Sequence, residues 1–135
     1  MTWSNSKPVS QPRLGGDFMR ISEAASASGL KADTIRYYEA EGLVPNVMRG
    51  SDGQRRFSRE NVEWLTLLYW LRETGMPMKV MQRFAALYAQ GDETIPARKA
   101  ILLDHSERLA RRRSDLDRCE EILVRKLEIY EEYLR

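Results

Sequence analysis

The sequence is poor in the residues that most often carry chemistry: among 135 residues there is one cysteine, Cys119, and one histidine, His105. A single cysteine closes no intrachain disulfide and cannot alone hold a tetrahedral metal ion. There is no Gly-rich phosphate cradle and no carboxylate pair beside a base, so no enzyme activity, metal or cofactor is expected. Long apolar runs are missing as well. The stretch from Trp64 to Leu71 is broken by Thr66 and falls far short of the roughly 20 residues a membrane span requires. No basic start followed by an apolar stretch marks a secretory signal. These absences together point to a bacterial-type cytoplasmic protein with no membrane partner.

Charge of one sign is scarce too. Lys and Arg number 22 against 20 Asp and Glu, a net charge of +2, which is too small to advertise nucleic-acid binding. Placement says more than the total. Arg49, Arg55, Arg56 and Arg59 face one acid, Asp52, within a loop-like segment, a local basic patch suited to phosphate contact.

What is present is helical punctuation. Residues 1–17 are rich in Ser, Pro, Asn and Gln with a Gly15–Gly16 pair and read as a tail. Residues 18–21 form an extended lead-in. Ser22 is the expected cap of a short helix stopped by Gly29, and Asp33 the expected cap of a second one that ends at Gly42. Two helices joined by a few residues around a glycine make a helix-turn-helix. Val47–Met48 and Arg55–Phe57 then flank a Gly-rich turn as the arms of a small hairpin. Ser58 caps a third helix from Arg59 to about Glu73, and Pro77 opens a fourth that runs to Gln90 before Gly91. Trp64, Leu67, Leu68 and Leu71 have helical spacing and are assigned to the core, while Tyr69 and Trp70 are candidate contacts with a partner subunit.

From Thr94 to Leu134 there is no glycine and only one proline, Pro96. A single helix of that length extends about 60 Å and cannot bury itself against so small a body. Leu102, Leu109, Leu116, Leu123 and Tyr130 recur every seventh residue, as in a coiled-coil seam. Leu127 and Leu134 suit the companion stripe, whereas Ser106, Arg113 and Glu120 do not. The expected architecture is therefore mainly α: a winged helix-turn-helix over 18–91 and a dimerisation helix over 92–135 that forms an antiparallel coiled coil in a homodimer.

Several motifs in order carry a resemblance. Ile21–Ala25, then Thr34-Ile35-Arg36-Tyr37-Tyr38-Glu39 with Gly42-Leu43, then Gly53-Gln54-Arg55-Arg56-Phe57-Ser58 together resemble the DNA-binding domain of the MerR family from about Arg20 to Gln90. The terminal helix resembles that family's dimerisation helix. The resemblance implies a transcriptional regulator acting on double-stranded promoter DNA alongside RNA polymerase. In that mechanism an effector makes the bound dimer distort a poorly spaced promoter into productive register, and the operator is an inverted repeat.

The DNA-facing candidates are Ser22, Lys31, Asp33, Thr34, Arg36, Tyr37, Tyr38, Gln54, Arg55 and Arg56. Lys31, Asp33 and Thr34 stand near the leading end of the second helix, within reach of base edges. Arg36, Tyr37 and Tyr38 suit phosphates flanking the groove. Plainer readings stand beside these: one of the two tyrosines belongs to the core, Arg56 pairs with a nearby acid, and Asp33 serves as a cap. Arg111 to Arg113 read as a solvated face of the long helix, and His105 as structural.

Effector candidates are few. Met78 and Met81, with Met76 and Phe84, lie where the family often builds the wall of an effector site, and ordinary packing is the competing reading. Cys119 is either a small residue at the dimer contact or a thiol sensor with Arg112 and Arg118 as basic neighbours in the sequence. Metal-sensing members carry cysteines about the ends of the dimerisation helix, and this sequence lacks them. Drug-binding members append a ligand domain, which is not expected here. Gly91 to Leu102 resembles the short, aldehyde- or stress-responsive branch. Two other functions compete with an effector-driven activator: a ligand-independent repressor or architectural DNA-binding protein, and a coiled-coil adaptor that leaves the basic wing unexplained.

Overall fold

The computed structural model describes residues 18–135; the tail expected over 1–17 lies outside the described residues. In chain order the elements are α1 (Ile21–Ser28), α2 (Ala32–Ala40), β1 (Met48–Arg49), β2 (Arg55–Arg56), α3 (Arg59–Glu73), α4 (Met78–Gln90), a 3-10 turn (Asp92–Thr94) and α5 (Ile95–Leu134). The mainly helical class and the helix-turn-helix with its hairpin are as expected. Among the described residues no helix is long and apolar enough to cross a membrane.

The first two helices begin earlier than their cap-like residues suggest. Met19 and Phe57 exchange backbone hydrogen bonds of 2.7 and 2.8 Å, which holds the chain extended through Arg20. The helix therefore opens at Ile21, and Ser22 falls inside its first turn rather than capping it. Glu23 does the capping instead, its Oε1 accepting from the Arg20 N–H at 3.2 Å. Gly29 ends α1 at φ +87°, its N–H donating to the Ala25 carbonyl. A side chain there would be strained, and the Tyr69 ring lies 3.9 Å from the place a Cβ would take.

The turn into α2 is closed by Ser28, whose Oγ accepts from the Leu30 N–H at 3.3 Å. Lys31, not Asp33, occupies the cap position, with extended backbone and no side-chain cap bond. Asp33 stands in the first turn, where its charge favours the helix N-terminus, and its carboxylate accepts from Arg36 Nη1 at 2.8 Å. Helix α3 starts where expected. Ser58 Oγ accepts from the Asn61 N–H at 3.1 Å while Asn61 Oδ1 accepts from the Ser58 N–H at 2.9 Å, so each side chain satisfies the other residue's backbone N–H.

Close contacts divide the chain into one unit ending at Ile101 and a second, Leu102–Arg135. In the first, α1 packs on α2 and α3, and α3 on α4. Ile35, Leu43, Phe57, Leu65, Leu68 and Met81 are fully buried and form the centre of the core. Trp64 and Leu71 are buried with them, whereas Leu67 is half-buried. The Trp64 indole stacks on Phe84 and Tyr88 with ring centroids 5.1 and 4.3 Å away. Arg98 closes that stack. Its guanidinium lies 5.3 Å over the Tyr88 ring, and Nη2 donates to the Gly91 carbonyl at 3.1 Å, binding the start of α5 to the end of α4.

The second unit is the remainder of α5. Leu109, Leu116, Leu123, Leu127 and Tyr130 are exposed in the single chain, and Leu102 is half-buried. His105 is buried; burial above all, and then the positive charges of Arg108 and Arg112, hold its imidazole below the usual histidine pKa.

Candidate nucleic-acid interface

Helix α2 separates its residues cleanly by face. Ile35 and Tyr38, three residues apart, turn into the core, and Asp33, Arg36 and Tyr37 look outward. The two tyrosines divide accordingly: Tyr37 is 51% exposed and Tyr38 only 4%. Tyr38 is thus a core residue and not a groove contact. Its hydroxyl pKa is raised, chiefly by burial, so the phenol stays protonated. Arg36 and Asp33 form an ion pair at 2.8 Å across one helical turn. Lys31 and Ser22 are exposed, and Thr34 is half-buried on the flank.

The wing is a two-stranded hairpin with Met48 opposite Arg56 and Arg49 opposite Arg55. Its turn is closed by the Gly53 N–H on the Gly50 carbonyl at 3.0 Å, with Gly53 at φ +79°. Asp52 ties the turn further, accepting from the Gln54 N–H through Oδ1 at 3.0 Å and from Arg56 Nη2 through Oδ2 at 2.9 Å. These two donors, the Gln54 amide first, hold the Asp52 carboxyl below the usual carboxylate range. The pairing of Arg56 with a nearby acid is therefore real. Gly50 makes room for it: a Cβ at that position would lie 2.9 Å from Arg56 Nη2.

Arg55 reaches the other way. Its Nε donates to Oε1 of Glu39 on α2, and both side chains are largely shielded from solvent. Neighbouring residues on a strand point to opposite faces. That alternation sends one arginine to the helix and the other to the turn.

Two further arginines join this edge, Arg49 of the basic patch and Arg20, which the sequence did not single out. Arg20 Nη1 donates to Gln54 Oε1 at 3.2 Å, which places a further cation beside the wing, and Arg49 Nη1 donates to the Gly53 carbonyl at 2.8 Å. The Met19–Phe57 pairing brings Arg20 there, and no local pattern around Arg20 announces it. Outside the edge, Met81 is fully buried and Met78 half-buried, as ordinary core packing requires. Cys119 is exposed and forms no disulfide.

The second helix of the helix-turn-helix thus presents an exposed polar face, and an arginine-bearing hairpin is tied to it through Arg55 and Glu39. The model of the MerR HTH family regulatory protein matches residues 19–87. The chain belongs to the MerR family. It is a transcriptional regulator with a helix-turn-helix DNA-binding domain.

Family relatives run beyond that domain. An uncharacterized HTH-type transcriptional regulator of Haemophilus influenzae is 38% identical over 109 residues, 81% of each chain. The regulator AdhR of Bacillus subtilis is 37% identical over 91 residues, covering 67% of this chain and 65% of that one. Among solved structures, HiNmlR, described as a MerR family regulator lacking the sensor domain and bound to promoter DNA, superposes with a TM-score of 0.77 at 36% identity, over 85% of this chain and 91% of that one. A MerR family protein from Listeria monocytogenes does so with a TM-score of 0.77 at 32% identity, over 84% and 86%.

Proposed function

We propose that this MerR-family regulator binds an inverted-repeat promoter element as a homodimer and activates transcription by distorting the DNA, in response to a small stress signal. The observation that carries the DNA-reading part is the outward face of α2, where Asp33, Arg36 and Tyr37 are exposed beside the wing. In this reading α2 enters the major groove, with Lys31, Asp33 and Thr34 nearest the bases. Arg36, Tyr37, Arg55, Arg56 and Gln54 bear on the phosphates, and contacts of that kind fix position rather than sequence.

The homodimer is supported by the seven-residue repeat of exposed apolar residues on α5, with Leu116 67% exposed in the single chain. Residues 18–91 act as the DNA-binding head and 92–135 as the dimerisation helix, which pairs as an antiparallel coiled coil. Two heads held at a fixed separation read two half-sites, hence the inverted repeat. Distortion of the duplex costs of order 1–6 kcal/mol, an amount that extra phosphate contacts by the wing supply. RNA polymerase then engages the same promoter, in the bacterial cytoplasm.

A second reading, a regulator without a ligand, has a specific observation in its favour. Met81, one of the effector-wall candidates, is 0% exposed and leaves no surface to a ligand. The likeness to a neighbour described as lacking its sensor domain points the same way.

The test is fluorescence anisotropy with a labelled duplex from upstream of the protein's own gene, against a scrambled duplex of equal length. Tighter binding to the native duplex, weakening steeply with salt, is the expected result. Equal weak binding to both would favour an architectural role. No binding to either at low salt would revive the coiled-coil adaptor.

A further inference from the structure

We infer that Glu39 is a positioning residue for DNA binding: a negative charge at the protein–DNA edge that raises affinity for DNA by aiming Arg55. Such an acid is unexpected in that place. A carboxylate near a phosphate backbone repels it, and by charge alone its removal should tighten binding.

The geometry argues for the opposite sign. Glu39 sits on α2, the helix whose outer face carries Arg36 and Tyr37, and its Oε1 accepts from Arg55 Nε on β2. Among the described residues it is the ion pair that joins the second helix to the wing; Arg36–Asp33 lies within α2 and Arg56–Asp52 within the hairpin. The pair is sheltered, with the side chains 28% and 21% exposed, so it is less screened by water and salt than a surface pair. A guanidinium engaged at Nε keeps four N–H donors on its η nitrogens, which can fork a phosphate. Fixing the Nε edge orients that fork and spares the long side chain the rotamer entropy of ordering on DNA. It also locks the wing to the groove-facing helix, so that both elements meet the duplex in one register.

This inference rests on the proposed DNA reading, and the experiment separates the two. The upstream duplex is titrated with wild type, Glu39→Gln and Arg55→Lys over a range of salt. Melting temperature and the Arg55 Nε–H signal in a proton–nitrogen correlation spectrum are followed alongside. Glu39→Gln is expected to bind about tenfold more weakly, as for a loosened charged hydrogen bond. The slope of log affinity on log salt should become shallower by about 1, and the Nε–H signal should lose its protection. Should Glu39→Gln not fold, Arg55→Lys keeps the positive charge but not the Nε–H contact, and the same weakening is expected. A merely structural role would lower the melting temperature and leave the salt slope alone, which overturns the inference, as does binding by Glu39→Gln as tight as wild type or tighter. In either case a wild-type protein that binds the duplex steeply with salt leaves the DNA reading standing. If wild type does not bind, both fall together.

Discussion

The indole N–H of Trp64 donates to the backbone carbonyl of Leu43 at 2.7 Å, and this bond fastens α3 to the chain just past α2. Both residues are buried, so neither group finds water if the other is lost. Trp64→Phe preserves a ring to stack on Phe84 and Tyr88 but strands the carbonyl, at a cost of about 1–3 kcal/mol. Urea unfolding followed by circular dichroism should show the midpoint falling with an unchanged slope. An unaltered midpoint would mean that the stacking, not the bond, holds the joint.

The adjacent tyrosines of α2 should respond in opposite ways. Tyr38 is in the core, and Tyr38→Ala should destabilise the fold by about 3 kcal/mol. Tyr37 is exposed, so Tyr37→Phe should leave stability within about 0.5 kcal/mol. It should, however, weaken DNA binding by about tenfold through loss of a phosphate hydrogen bond. Thermal melts and anisotropy on the two variants check this. A Tyr37→Phe protein with wild-type affinity would remove that hydroxyl from the interface.

This division shows where the sequence is legible and where it is not. Helix α3 could be read to its first residue because Ser58 and Asn61 form a local reciprocal cap. The starts of α1 and α2 could not. Ser22 and Asp33 are good caps by residue type, but the backbone turns helical earlier: just after Arg20, which the pairing of Met19 with Phe57 holds extended, and just after Lys31, which follows the buried Leu30. Adjacent residues on a helix differ by about 100° in direction. The motif could therefore not say which tyrosine is buried until the packing of α2 set its roll. Arg55 and Glu39 are 16 residues apart, and their meeting depends on how the hairpin folds back, which no local pattern encodes. The apolar repeat of α5, by contrast, is written in the chain itself.

The Asp52 carboxyl has two supports, the Gln54 amide and Arg56, and removing one should reveal the share of the other. The Gln54 amide is the largest single contribution to holding it below its ordinary pKa of 3.8, and Arg56 adds both a hydrogen bond and a charge. In a carbon-detected titration, the Asp52 midpoint should lie below 3.8 in wild type, and Arg56→Ala should return it only part of the way. A carboxylate with a lowered folded pKa contributes stability that is present above the unfolded value and lost as pH falls through the folded one. The Asp52 contribution to the turn should therefore be intact above the ordinary carboxylate range and be lost only in stronger acid. A full return of the midpoint in Arg56→Ala would make the ion pair, not the Asx-type turn, the main clasp.

The final prediction concerns α5. Leu109, Leu116, Leu123 and Tyr130 follow one another at seven-residue intervals and are exposed in the single chain. An ideal helix drifts by only about 20° per such step, so these side chains form one slowly winding apolar strip. A strip of this kind in water is stable only when covered, and a second copy of the same helix matches it in length and chemistry. Leu116 stands at the middle of the repeat, so a charge there should do the most damage to pairing. Leu116→Glu is expected to sediment as a monomer at concentrations where wild type sediments as a dimer. Because inverted-repeat binding needs two joined heads, it should also bind the upstream duplex with the weak affinity of one half-site. Circular dichroism should show the head still folded, since Leu116 lies beyond the unit that ends at Ile101. A Leu116→Glu protein that remains dimeric would place the subunit contact elsewhere, with exposed Trp70 on α3 as the next position to substitute.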